Sequence, residues 1–152
     1  MQETLFIKLL KYALYVVFAV GVVIGSTMPW MLDLYVSVIH RTGVLPPNFR
    51  AFILPFMMIV AIPCLWVVME MILMMRSIPS GPFVKRNVHA LYRVGILFFL
   101  LVAMFIVKSV FFPAFMTLFC MLLFIGGGLF SFTFAELINQ SITFREENDL
   151  TI

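Results

Sequence analysis

Charge is scarce in this chain: Lys, Arg, Asp and Glu make up only 11% of its 152 residues, against roughly a quarter in an average soluble domain. So few charged side chains do not cover the outside of a water-soluble fold of this size. Apolar residues account for 64% of the chain, and the mean hydropathy is +1.15. The expected solvent is therefore a lipid bilayer. Long polar stretches are also lacking, which leaves no room for a second domain and predicts one compact bundle.

Cysteine and histidine are equally sparse. The two cysteines, Cys64 and Cys120, lie inside apolar runs, where packed thiols are expected rather than a disulfide framework. The two histidines, His40 and His89, fall in different polar stretches. Neither stands in a metal-ligand cluster. There is no glycine loop with its phosphate-binding lysine and no nucleophile beside a base. A non-enzymatic protein without a metal or cofactor is the expectation.

What the chain does have is long apolar runs. A spanning helix needs about 20 such residues, and four are expected, over about 12–32, 51–75, 92–109 and 113–135, followed by a tail over 136–152. Lys8 and Lys11 precede the first run, which is too long for a cleaved leader and lacks a small-residue cleavage site. Trp30 beside Pro29 suits an interface position, as do Tyr12 and Tyr15 at the other end. Within 33–50, Leu34, Tyr35, Val38 and Ile39 are expected to lie along the membrane surface, with Gly43 and Pro46-Pro47 as stops. Pro63 is the expected bend of the second helix. Residues 94–135 would span about 63 Å as one helix, so they must be two, turning at Lys108–Pro113.

Seven of the ten basic residues (Lys8, Lys11, Arg76, Lys85, Arg86, Arg93 and Arg145) fall on one side of this layout. Arg41, Arg50 and Lys108 fall on the other. Such a bias places both termini in the cytoplasm. The expected class is all-α, an integral membrane four-helix bundle of N-in/C-in topology with a short cytoplasmic tail.

Several residues are singled out against this frame. Gly21 and Gly25 form a GxxxG step, and Gly127, Ser131 and Ala135 form a small-residue stripe. Both suit close helix packing, either within one bundle or across a homodimer. Glu70 is an ionisable group inside an apolar run, which costs about 2.5–3.5 kcal/mol at mid-helix. Either it pairs structurally with His89 or Arg93, or it belongs to a proton or ion path. Six methionines, Met57, Met58, Met69, Met71, Met74 and Met75, fall on several faces of the second helix and suit adaptable packing better than soft-metal binding. Lys85, Arg86 and Arg93 suit anionic headgroups or a docking partner. The tail carries Glu136, Glu146, Glu147 and Asp149 against the single base Arg145, and Leu137, Ile138, Ile142 and Phe144 would make an apolar side if the fourth helix continues into it. It either folds onto the basic middle loop or recruits a basic cytoplasmic partner.

The turn Ser80-Gly81-Pro82-Phe83, followed by Asn87 and Leu91, and the terminus Arg145-Glu146-Glu147-Asn148-Asp149-Leu150-Thr151-Ile152 resemble the YoaS-like family of bacterial membrane proteins. The resemblance covers essentially the whole chain. That family is one of unknown function, so it implies no catalytic residues. It does imply a small, multi-pass protein of the bacterial cytoplasmic (inner) membrane. Members are often encoded beside a small helix-turn-helix DNA-binding regulator, which points to docking or regulation at the membrane without direct nucleic-acid binding. The alternative is a small transporter or channel subunit, or an accessory subunit of a membrane complex.

Overall fold

The computed structural model describes residues 5–39, 48–77 and 84–149. They form four helices: α1 (Leu5–Ile39), α2 (Phe49–Ser77), α3 (Lys85–Phe111) and α4 (Phe115–Asp149). All four are long and apolar enough to cross a membrane. With no water in the hydrocarbon, each backbone donor and acceptor must be satisfied within its own helix. Hydroxyls on the outer surface of the spans follow the same rule: Ser26 Oγ donates to the Val22 carbonyl at 2.8 Å, and Thr27 and Thr133 donate four residues back at 2.9 Å.

The helices alternate in direction and pack in chain order, α1 on α2, α2 on α3, and α3 most extensively on α4. Among the described residues no close backbone approach joins α1 to α3 or α4, or α2 to α4. The bundle is thus a row, and its buried apolar residues concentrate in the inner helices. Val60 and Val67 of α2 are buried, as are Val94 and Leu101 of α3, with Ala135 and Ile142 of α4.

Small residues set the tightest approach. A Cβ on Gly95 would lie 2.7 Å from the Phe132 ring, and one on Gly128 would lie 2.9 Å from Phe99. Gly127 meets Phe98, while Ser131 and Ala135 are buried. The stripe on α4 therefore packs against α3. Gly21 faces Leu65 of α2, whereas Gly25 and Gly126 have open space around them.

The observed helices outrun the expected spans at most ends. Residues 34–39 continue α1 and do not lie along the surface as a separate segment. Once α1 leaves the hydrocarbon, nothing in Leu34-Tyr35-Val36-Ser37 breaks it, and Ser37 Oγ closes back on the Leu34 carbonyl at 2.8 Å. The expected stops Gly43 and Pro46-Pro47, the turn 80–83 and the histidine His40 lie outside the described residues. α2 is continuous through Pro55 and Pro63. The turn between α3 and α4 does fall at the end of the Lys108–Pro113 stretch: Phe112 N–H donates to the Lys108 carbonyl at 2.8 Å and α4 starts at Phe115. The segment expected as a tail is helical, because α4 runs unbroken to Asp149.

Candidate functional site

Two polar belts bracket the apolar body. At the end holding the α3–α4 turn, Arg50 pairs with Asp33, its Nη2 donating to Oδ2 at 3.0 Å. Lys108 Nζ donates to Thr117 Oγ1 across the hairpin. Aromatic rings fill the space between: Phe52 lies 5.1 Å from Phe111 and from Phe112, and Phe56 lies 5.5 Å from Phe105.

Counting along the helices locates the second belt. At 1.5 Å per residue, Arg50 to Glu70 spans about 30 Å, Phe115 to Glu136 about 31 Å, and Phe111 to Arg93 about 27 Å. These lengths match a hydrocarbon core of about 30 Å. Glu70, Arg93 and Glu136 therefore share one boundary plane, at the end where α1 begins and α4 finishes.

At this belt and within about 10 Å outside it by helix rise, each neighbouring pair of helices is tied by a polar link. Arg76 of α2 donates through Nε to the Tyr15 hydroxyl of α1 at 2.8 Å. Ser77 Oγ donates to Asn87 Oδ1 at 2.6 Å, joining α2 to α3. Tyr92 donates to Glu136 Oε2 at 3.1 Å, joining α3 to α4. The strongest link is the fork of Arg93 on Glu70: Nε donates to Oε1 at 2.7 Å and Nη2 to Oε2 at 2.9 Å. Trp66 Nε1 adds a longer bond to Oε1 at 3.4 Å. The Glu70 side chain is 7% exposed and that of Arg93 50%. The carboxylate is thus neutralised in place by a bidentate cation that itself reaches the boundary. Of the two candidate partners for Glu70, Arg93 holds it, while His89 Nδ1 lies 2.8 Å from the Lys85 carbonyl.

Beyond the belt all four helices continue, and α4 runs furthest, to Asp149, about 20 Å past Glu136 by helix rise. Lys85 pairs with Glu146 at 2.9 Å, and Val88, Ala135 and Ile142 form a small buried cluster with Leu91 and Ile138 against it. Of the candidate docking residues, then, Lys85, Glu146 and Arg93 are engaged inside the protein. Arg86 is exposed; Glu147 is exposed and also interacts within the protein; Asp149 ends α4, and the structure does not describe its side chain.

The other face of α4 was not foreseen as a unit. Glu136, Asn139, Gln140, Thr143, Phe144 and Glu147 line a shallow groove of about 250 Å³. These positions recur at three to four residues and so share one face. Leu137, 54% exposed, and Phe144, 65% exposed, are the exposed large apolar residues of this end of α4. The signal was present in the spacing of Glu136, Gln140, Thr143 and Glu147, three to four residues apart. Trp66 was also missed, although it stands four residues before Glu70.

Among the described residues no three His, Cys, Asp or Glu side chains converge as a metal site. What the arrangement can do chemically is bind: it offers a rigid, acid-lined helix face with apolar anchors, outside the bilayer boundary. No protein-family model, curated protein or solved structure matches this chain, so the features of this multi-pass four-helix membrane protein stand on its own residues.

Proposed function

We propose that the chain is a non-enzymatic docking protein of the bacterial inner membrane. The projecting end of its α4 holds a small basic cytoplasmic protein at the bilayer. The observation that carries this reading is the exposure of Phe144 on a helix eight residues past the boundary plane, about 12 Å out by helix rise. A ring in that position is beyond the hydrocarbon and gains nothing from lipid tails. Glu136 and Glu147 flank it, so a partner helix with basic residues around an apolar stripe fits in charge and in shape.

The seven-to-three distribution of basic residues supports the cytoplasmic orientation of this end. The resemblance to the YoaS-like family belongs with the same reading and makes the partner a small helix-turn-helix regulator. Acidic repulsion across Glu136 and Glu147 disfavours a second copy seated face to face on this part of α4. A transport path finds less support, because Glu70 is already held by the Arg93 fork.

The test is co-purification of the full chain with the product of its neighbouring gene, the expected partner being a small helix-turn-helix protein. Phe144→Ser with Leu137→Ser should abolish recovery, while Arg86→Gln should leave it intact. Equal recovery with the double variant would remove this face from the function.

A further inference from the structure

The polar belt between α2 and α3 carries a feature that protein docking does not use. A notch of about 120 Å³ opens there, lined by Trp66, Arg93, Ile96 and Leu97. Its walls are apolar apart from Arg93, and both Trp66 and Ile96 face outward. Arg93 commits Nε and Nη2 to Glu70 and still leaves half of its side chain exposed above the notch. Arg86 stands seven residues earlier on α3, hence on the same face and about 10 Å further out. It is exposed. Two guanidinium groups against one carboxylate leave this face net positive.

We infer that the α2–α3 notch binds one anionic phospholipid, with its phosphate on Arg86 and Arg93 and an acyl chain against Trp66, Ile96 and Leu97. Three observations coincide here. Arg93 lies at the plane where headgroup phosphates begin, about 27 Å along α3 from Phe111, and Arg86 stands about 10 Å further out, on the headgroup side of that plane. The Glu70 fork fixes the orientation of Arg93, so its remaining donors are presented without further ordering. The apolar notch continues from the charged head into the depth where a lipid tail lies. A free phosphate would satisfy the arginines and leave the notch unfilled; a phospholipid satisfies both. The inference rests on residence in a bilayer and is independent of the docking reading, because none of its residues lies on the outer face of α4.

The experiment uses the full chain with Trp30→Phe, which leaves Trp66 as the sole tryptophan of the original two. The protein is reconstituted in phosphatidylcholine vesicles containing phosphatidylglycerol brominated in its acyl chains or, at equal mole fraction, phosphatidylcholine brominated in the same way. Bromine quenches a tryptophan that it touches. The anionic lipid should be enriched at Trp66 about fivefold over the neutral one, the factor expected for one well-placed cation at a membrane surface. Arg86→Gln should bring the two lipids to near equality, and excess sodium phosphate at matched ionic strength should change nothing. Equal quenching by both lipids overturns the inference, as does enrichment that survives Arg86→Gln. Loss of enrichment in phosphate would assign the arginines to free phosphate and overturn the lipid as occupant.

Discussion

At the scale of single residues, the Glu70–Arg93 fork decides how a carboxylate is tolerated in an apolar helix. Breaking a fully buried ion pair by removing one partner costs about 3–5 kcal/mol. Arg93 is half exposed, and solvent screening lowers that figure, so Arg93→Gln should cost about 2 kcal/mol. Glu70→Gln combined with Arg93→Gln should recover most of the loss, since no uncompensated charge remains. Thermal unfolding in neutral detergent reads both; equal destabilisation by the single and double variants would show that the two groups are not coupled. The glycines give a second residue-scale contrast. Gly95→Ala forces the Phe132 ring, 2.7 Å from the new Cβ, out of its stack on Phe99, whose centroid lies 5.8 Å away. A loss of about 1–3 kcal/mol is expected, as for overpacking generally. Gly126 has open space, so Gly126→Ala should raise stability by up to about 1 kcal/mol through helix propensity. A fall at Gly126 on the same unfolding curve would mean that a second copy seats there.

At the scale of elements, the number of helices and the hairpin at Lys108–Pro113 were legible because both follow from length against bilayer thickness. A 42-residue apolar run has no alternative to turning once. The helix ends were less legible. Beyond the hydrocarbon, hydropathy no longer separates helix from tail, and the extension of α4 depends on contacts from another element: Ile142 under Val88, and Lys85 on Glu146. The same holds for the site. Glu70 announced itself as a charge in an apolar run and Arg93 was one of its two expected partners. Tyr15 under Arg76 and Thr117 under Lys108 depend on register between helices, which no single-helix pattern encodes. The contact account of α4 makes its own prediction. Ile142→Ala should cost about 2 kcal/mol, at the low end for emptying an apolar site, and should fray the projecting turns of α3 and α4. Hydrogen exchange should therefore quicken over 85–91 and 138–149 while the spanning parts of α3 and α4 stay protected. Uniform quickening along both helices would contradict it.

At the scale of the whole molecule, four apolar helices in a row leave both edge helices open to lipid on their outer sides. Cross-helix polar links gather at the two ends, outward from planes about 30 Å apart. The apolar zone between them is long enough to carry α1–α4 through the bilayer, and the end of α4 past the second plane is where we propose that other proteins dock. The central claim is that α4 projects its Phe144 face into the cytoplasm. The direct measurement is thiol labelling of Phe144→Cys in a Cys64→Ala, Cys120→Ala background, with a membrane-impermeant maleimide on sealed vesicles of both orientations. Rapid labelling in inside-out vesicles, and in right-side-out vesicles only after permeabilisation, is the predicted result. Labelling from the opposite side, or no labelling in either orientation, would contradict it.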